Sequence, residues 1–246
     1  MVSSFNAAPM GVRWGGASTK WYAMLGTDFA DHLADRRSVP IFAALSKSLI
    51  VAIFVSVASV VVGTTGAWLL HRHRFKASRA LATVLSLPLV VPDVILGVSL
   101  LILFRTLHVE LGLFTVVLAH MTFCVPFVLA AVRARLAGLD PSLEEAAIDL
   151  GASPLQAFAH VILPSLMPAV VSSGLLCFAL SMDELVVTYF TSGPVAQTLP
   201  VVMFGMAKVG ASPLLNALAT LLVAATAVIV VSMERFRKNE LGSADG

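Results

Sequence analysis

The sequence has few charged residues for its length. Only 12% of its 246 residues are Asp, Glu, Lys or Arg, whereas 58% are hydrophobic. Because ordinary soluble domains carry about a quarter charged residues, this shortage argues against a single soluble core. Several apolar runs exceed the roughly 18 uncharged residues that indicate a membrane span. Composition therefore predicts an all-α integral membrane protein.

Catalytic motifs and a cysteine framework are also missing. The sequence contains no G-x-S-x-G elbow, no H-E-x-x-H zinc motif and no G-x-x-x-x-G-K-[ST] phosphate loop. We therefore expect no enzyme activity, metal site or cofactor in this chain, and any ATP that drives it must be hydrolysed by another polypeptide. The two cysteines, Cys124 and Cys177, lie inside apolar runs and are interpreted as small hydrophobic residues.

Hydropathy predicts five transmembrane spans in one membrane domain, residues 43–235. We place the spans at about 43–70, 80–104, 113–132, 166–190 and 213–233. Basic clusters follow the first, third and fifth spans, and such clusters mark cytoplasmic loops. This orientation places residues 1–42 and 191–212 outside the cell, and the loop 134–165 and the tail 236–246 in the cytoplasm.

The N-terminal segment does not fit this orientation easily. Residues 1–42 contain no span, yet Arg13, Lys20, Arg36 and Arg37 would have to reach the outside. We expect that the native chain starts further upstream with another helix, so that six spans are normal.

The cytoplasmic loop contains a polar stretch that favours helix. Asp140 before Pro141 is a good helix start, and Glu144 and Glu145 fall in the first turn, where negative charge is favourable. Gly151 provides a left-handed stop. Ser153-Pro154 then begins a second short helix, which we expect to end at Pro164. The stretch predicts two short helices joined by a tight glycine turn, and on local physics alone a solvated loop with ordinary caps explains it equally well.

Three features of this stretch resemble the "EAA" loop of binding-protein-dependent ABC importer permeases. They are Glu145-Ala146-Ala147, Gly151 six residues after the glutamate, and the closing Ile162-Leu163-Pro164. In that family the loop is a cytoplasmic coupling helix that docks into a groove on the ATPase subunit. The resemblance implies that the coupling residues are Glu144, Glu145, Ala146, Ala147, Asp149, Gly151, Ile162, Leu163 and Pro164.

Acidic residues inside predicted spans are candidates for a solute pathway, since each costs roughly 2.5–3.5 kcal/mol at mid-bilayer. Asp93 follows Pro92 near the middle of the second span, and Asp183 and Glu184 lie in the outer half of the fourth. The alternative is that these acids cap broken helix segments or pair with a partner subunit. Separated carboxylates with aromatic faces, such as that of Tyr189, suit a cationic solute.

Two further motifs resemble spermidine/putrescine-type permeases. Ser181-Met182-Asp183-Glu184 is similar to that group's Ser-Met-Asp-Asp, with glutamate in place of the second aspartate. The segment 120–127 is similar to its His-x-Thr-Phe-Cys-x-Pro-Phe. His120 is interpreted as an intramembrane histidine paired with a backbone carbonyl, with a pathway or proton-carrying role as the alternative.

The resemblance implies a permease subunit that imports a polyamine such as spermidine or putrescine by alternating access. It also implies a second permease subunit, two ATPase subunits that bind ATP and Mg, and an extracytoplasmic solute-binding protein. The expected location is a bacterial inner membrane, with the C-terminus cytoplasmic, and no nucleic acid is expected as a partner. The alternatives are the same machine for an opine, iron(III), sulfate or molybdate, an ion-coupled secondary carrier, or a scaffold membrane protein. Five spans without a visible inverted repeat argue against the carrier.

Overall fold

The computed structural model describes residues 2–8, 14–35, 40–72, 84–85, 87–140, 142–209, 213–221 and 223–224. Regular structure in these residues is helical, apart from one isolated antiparallel bridge between Asn6 and Ala17. The chain divides into two compact units, residues 44–201 on the one hand and residues 1–43 with 202–246 on the other. The all-α prediction is confirmed for the described residues.

The helices are numbered here in chain order. They are α1 (Lys20–Asp35), α2 (Pro40–Arg72), α3 (Asp93–Thr106), α4 (Leu113–Ala137), α5 (Ser142–Asp149), α6 (Pro154–Ala157), α7 (Leu163–Asp183), α8 (Val186–Thr191) and α9 (Leu199–Val209). Short 3₁₀ turns lie at Val2–Phe5 and Leu87–Leu89. A π turn, Phe158–Ile162, joins α6 to α7 without a gap. Residues 213–221 and 223–224 are also helical.

Three stretches of helix are long and apolar enough to cross a membrane. They are Ile41–Arg72, Leu113–Ala137 and Pro154–Asp183, with 32, 25 and 30 residues. At a rise of about 1.5 Å per residue, each exceeds the roughly 30 Å of a hydrocarbon core. They correspond to the first, third and fourth predicted spans. About half of the fifth predicted span lies outside the described residues, as do the tail 236–246 and the basic residues at 73–79.

The second predicted span, residues 80–104, is broken where the structure describes it. A 3₁₀ turn lies at Leu87–Leu89, and α3 begins only after Pro92. Proline has no N–H to continue a helix and disfavours helical backbone in the residue before it. The 14 residues of α3 extend only about 21 Å. Asp93 is therefore the first residue of a short helix that begins directly after the break at Pro92.

The fourth predicted span differs from the structure at its start. The helix that follows the glycine turn does not end at Pro164, as expected, but continues through the π turn into α7. In this turn the N–H of Leu163 donates to the carbonyl of Phe158, five residues back. Pro164 then occupies the first turn of α7, where its missing N–H is tolerated.

The fourth predicted span also breaks before its expected end. Helix α7 stops at Asp183, Glu184 has extended backbone with φ −70° and ψ 114°, and α8 begins at Val186. We call residues 183–186 the acid break. The two acids therefore flank an interruption, and the prediction of a continuous helix through them is wrong.

The long helices of the 44–201 unit pack through small residues and a shared apolar core. A Cβ on Gly63 of α2 would lie 2.6 Å from Val128 Cβ of α4, so the two backbones approach closely there. The hydroxyl of Ser56 donates to the Gly174 carbonyl of α7 at 2.6 Å. Such small-residue crossings are typical of membrane helix packing. The core includes Val51, Val55, Val116, Cys124, Val128, Leu129, Val132, Leu166, Val170 and Cys177.

The two cysteines face each other across α4 and α7. Both are buried free thiols. Cys124 Sγ lies 3.8 Å from the Cys177 carbonyl oxygen, and Cys177 Sγ lies 3.5 Å from that of Cys124. Their burial in the apolar core agrees with the prediction that they act as small hydrophobic residues, whereas their proximity was not predicted.

In the other unit, residues 2–8 pack on the start of α1. The Trp21 indole donates to the Asn6 carbonyl at 2.7 Å, and the Tyr22 hydroxyl donates to Ser4 Oγ at 2.6 Å. Asn6 Oδ1 also accepts from the Gly15 N–H at 2.8 Å. Where the structure describes it, this segment consists of a polar turn and a helix of 16 residues.

Candidate functional site

Both ends of α5 have the geometry that the sequence predicts. The N–H of Ser142 donates to Asp140 Oδ1 at 3.0 Å, and this bond holds the pKa of the Asp140 carboxyl below its ordinary value. At the other end of α5, the N–H of Ala152 donates to the Ala147 carbonyl, and that of Gly151 to the Ile148 carbonyl. Gly151 has φ +89°, a backbone region that favours glycine. This paired arrangement is a Schellman stop, as the sequence predicted.

A capping box starts the next helix. The N–H of Gln156 donates to Ser153 Oγ at 3.4 Å, and the N–H of Ser153 donates to Gln156 Oε1 at 2.8 Å. Pro154 occupies the first turn. These reciprocal bonds satisfy two free N–H groups of the helix start and confirm the predicted opening of a helix at Ser153-Pro154. We call residues 140–157 the coupling turn.

The coupling turn is anchored on the C-terminal end of α2. Arg72 at that end forms an ion pair with Glu144 of α5. The Arg72 guanidinium also lies 5.8 Å from the centre of the Trp68 ring, which is itself 4.4 Å from the ring of Phe158. One turn of α2 therefore contacts α5 through the charge of Arg72, and the residue directly after α6 through the ring of Trp68.

The outer surface of the coupling turn is more apolar than the sequence indicated. Leu150 is 89% exposed and Leu155 is 68% exposed. The structure buries Phe158 and Ile162 and exposes Leu155. Leu150 and Leu155 therefore form an apolar part of the exposed surface of this turn.

The other predicted coupling residues divide by exposure. Glu145, Ala146, Asp149, Gly151 and Pro164 are exposed, and Glu144, Ala147 and Leu163 are half-buried. Ile162 is buried in the core beside Leu166. Among the predicted acids, Glu144 alone has an ion-pair partner within the described residues, so Glu145 and Asp149 are the outward-facing carboxylates.

Glu184 organises the acid break. Its Oε1 accepts a hydrogen bond from the N–H of Val187 at 2.8 Å, in the first turn of α8. Its backbone carbonyl accepts from the hydroxyl of Thr188 at 3.0 Å. Its carboxylate also lies close enough to those of Asp93 and Asp183 for electrostatic interaction. The structure therefore brings together the three acids that the sequence singled out.

The two short helices that begin near these acids pack against each other. A Cβ on Gly97 of α3 would lie 2.8 Å from Phe190 Cδ2 and 3.3 Å from Val187 Cα of α8. Only a glycine allows this approach without displacing the partner helix. Short paired helices whose N-terminal ends carry acids resemble the discontinuous helices that form solute sites in transporters.

A cavity lies further along α8, beyond the acids. Its volume is about 390 Å³, and its wall includes Leu101, Leu111, Tyr189, Phe190, Gln197 and Val201. The rings of Tyr189 and Phe190 stand edge to face, with centres 5.8 Å apart. The structure thus places Tyr189 at a cavity, as a pathway residue requires, while the three acids do not line this cavity.

His120 is completely buried on α4 and connects three helices. Its Nδ1 lies 2.8 Å from Ser181 Oγ of α7, and its Nε2 lies 2.8 Å from Thr188 Oγ1 of α8. The expected pairing with a backbone carbonyl is therefore wrong. Its partners are 61 and 68 residues away in the sequence, so no local pattern could identify them.

Metal chemistry finds no support at these positions. Within the described residues, no group of three His, Cys, Asp or Glu side chains is arranged to hold a metal ion. The arrangement instead offers carboxylates at helix ends, aromatic faces at a cavity and an anchored surface turn. Together with membrane-length helices, these features define a helical membrane transport protein.

The family follows from comparison with known proteins. Residues 37–239 match the family described as "Binding-protein-dependent transport system inner membrane component", and the chain belongs to this family. It is therefore a non-catalytic membrane subunit of an ABC transporter, a type of permease that works with an ATPase and a solute-binding protein.

Curated relatives are similar over almost the whole chain. The putrescine transport system permease protein PotI of Escherichia coli (strain K12) is 41% identical over 236 residues, which cover 93% of this chain and 80% of PotI. The spermidine/putrescine transport system permease protein PotC of the same strain is 38% identical over 240 residues, which cover 98% of this chain and 87% of PotC. PotC of Haemophilus influenzae (strain ATCC 51907 / DSM 11121 / KW20 / Rd) is also 38% identical, with 97% of this chain and 90% of that protein covered.

A solved structure supports the fold. An amino acid ABC transporter crystallised with histidines superposes with a TM-score of 0.61, covering 87% of this chain and 97% of that chain. The two sequences are only 15% identical, so this likeness concerns the fold alone.

Proposed function

We propose that this chain is the permease subunit of an ATP-driven importer for a polyamine such as putrescine or spermidine. The observation that carries the proposal is the similarity to PotI and PotC over more than nine tenths of the chain. In this proposal the chain works in a bacterial inner membrane with a second permease subunit, two ATPase subunits and an extracytoplasmic binding protein. Its C-terminus is cytoplasmic.

The acids support a cationic cargo. Asp93 begins the short helix α3, Asp183 ends α7 and Glu184 caps the short helix α8. Tyr189 lines the cavity further along α8. Carboxylates attract ammonium groups, and an aromatic face stabilises a cation by up to about 2 kcal/mol when water is excluded. The same charges would repel sulfate or molybdate. We assign these four residues to the solute pathway.

The coupling turn supports ATPase contact. Its outward surface carries Glu145 and Asp149 beside Leu150 and Leu155, a mixture of apolar and charged groups that suits docking in a groove. Ala146, Ala147 and Gly151 are small enough for close approach, whereas Glu144 fixes the turn to α2. Ile162-Leu163-Pro164 connect the turn to α7, so ATP-driven closure of the ATPases moves α7 and alternates access to the pathway.

Uptake assays in cells test the importer. The test uses cells that lack other polyamine uptake systems and express this chain with its partner permease, ATPase and binding protein. These cells should accumulate labelled putrescine or spermidine. Uptake should require an ATPase able to hydrolyse ATP, and it should persist with a proton uncoupler while ATP is maintained. Abolition of uptake by the uncoupler at constant ATP would indicate an ion-coupled carrier.

Competition identifies the cargo. Unlabelled opine, ferric iron, sulfate and molybdate are added separately at a hundredfold excess over labelled putrescine. We expect only polyamines to compete. Ligand-induced thermal stabilisation of the associated binding protein gives an independent answer, and stabilisation by one of the other solutes instead would reassign the cargo while leaving the importer class intact.

A further inference from the structure

We propose that His120 is a positioning residue that holds the acid break, and with it Glu184, in a fixed place. The observation is geometric. His120 bonds to Ser181, two residues before Asp183, and to Thr188, four residues after Glu184. One buried side chain on α4 thus forms hydrogen bonds on both sides of the interruption between α7 and α8.

The hydrogen bonds form an ordered chain. The single hydroxyl hydrogen of Thr188 is donated to the Glu184 carbonyl at 3.0 Å, so Thr188 Oγ1 must accept from Nε2–H of His120. In the neutral ring Nδ1 is then the acceptor, and the Ser181 hydroxyl donates to it. Every polar atom in this sequence of bonds has a partner, and the Glu184 backbone lies at its end.

Burial makes the loss of any of these hydrogen bonds costly. His120 and Thr188 are completely buried and Ser181 is 4% exposed, so no water replaces a lost partner. Glu184 has extended backbone between α7 and α8, so the helix is interrupted there. Glu184 in turn caps α8 through the Val187 N–H, so displacement of this segment moves both the carboxylate and the start of α8. A pathway that uses these carboxylates therefore depends on His120 without contact between His120 and the solute, a consequence that rests on the proposed function.

Two small substitutions test the proposal without leaving a large cavity. Ser181→Ala removes one bond of His120. Thr188→Val removes the other, together with the Thr188 bond to the Glu184 carbonyl, with almost no change in shape. Their matched controls are Ser173→Ala and Thr191→Val. These two hydroxyls are equally buried, but they donate within their own helices, to Val170 O at 3.1 Å and Val187 O at 2.8 Å.

The first readout is amide hydrogen exchange of the assembled transporter in lipid nanodiscs, followed in the peptide 184–191. We expect exchange about tenfold faster in Ser181→Ala and Thr188→Val, because each loses a bond that ties the acid break to α4, whereas the controls lose only a bond within one helix. Exchange should stay near the wild-type rate in both controls. Equal exchange rates in test and control variants would overturn the proposal that His120 holds the acid break.

The second readout is polyamine uptake at matched abundance in the membrane. The two test variants should lose at least about fivefold in rate relative to their controls. If the wild type transports and the variants show faster exchange but undiminished uptake, His120 does not position the pathway. If the wild type imports no polyamine, the proposed function fails, and the exchange measurement alone decides whether His120 holds the break.

Discussion

Two glycines are constrained for different physical reasons. Gly151 has φ +89°, and a Cβ there would meet nothing within 4 Å, so its constraint is the backbone conformation alone. Gly63 is constrained by its neighbour, because its Cβ would lie 2.6 Å from Val128 Cβ. The role of Gly151 could be predicted, since the stop signal is local in sequence. That of Gly63 could not, because its neighbour lies on another helix.

At Gly151 we expect the size of the side chain to matter less than its backbone preference. Gly151→Val should reduce polyamine uptake about tenfold, since positive φ costs a branched residue about 1–2 kcal/mol and opens the turn. Gly151→Asn, which tolerates left-handed backbone, should retain most uptake. Initial uptake rates at equal expression check this, and equal loss in both variants would mean that the turn needs open space instead.

At Gly63 we expect a stability effect. Gly63→Ala should destabilise the transporter by about 1–3 kcal/mol through overpacking against Val128. The control is Gly66→Ala, whose Cβ would lie 3.4 Å from Leu129 Cδ1, an ordinary contact. Thermal unfolding of the purified complex should show a lower midpoint for Gly63→Ala and a midpoint close to that of the wild type for Gly66→Ala. A midpoint equal to that of Gly66→Ala would contradict the close packing.

Helix interruptions show the limits of local sequence signals at the level of the element. Pro164 looks like a helix stop, yet the π turn before it leaves the helix continuous. The reverse holds at Glu184, where an apolar run reads as a continuous span but the chain breaks. The bonds that stabilise this break come from His120 on α4, so they depend on tertiary contacts that no window of the sequence contains.

The ion pair between α2 and α5 can be tested by charge reversal. Arg72→Glu places two acids together and should weaken the attachment of the coupling turn, lowering ATP-dependent uptake about fivefold. The double variant Arg72→Glu/Glu144→Arg restores opposite charges and should recover uptake. Transport per ATP hydrolysed, measured in proteoliposomes, separates loss of coupling from loss of assembly. Failure of the double variant to recover would indicate that Glu144 itself contacts the ATPase.

For the whole molecule, composition was sufficient to predict the membrane class, whereas the ATPase-docking role of the cytoplasmic loop came from its resemblance to the "EAA" loop and stays a prediction. Hydropathy found three spans that the structure supports, because a long apolar helix is a property of adjacent residues. Hydropathy did not predict the exposure of Leu150 and Leu155 or the proximity of Cys124 and Cys177. Their surroundings are assembled from distant parts of the chain.

Cysteine labelling tests the proposed orientation. Both native cysteines are buried, so they should react little with a membrane-impermeant maleimide. Val195 is 74% exposed between α8 and α9, and Val195→Cys should be labelled in intact spheroplasts. Leu150→Cys should react only after permeabilisation. The opposite pattern would invert the orientation and remove the coupling turn from the cytoplasm.

The π turn has a mechanical consequence. Because it keeps Pro154–Asp183 helical throughout, 30 residues form one continuous helix about 45 Å long. The coupling turn lies at one end of this helix and Asp183 at the other. A tilt of about 5° around the end at Pro154 would displace the far end by about 4 Å, more than the diameter of a water molecule. A small rotation imposed at the membrane surface would thus be enough to open or shut a narrow passage at the acids.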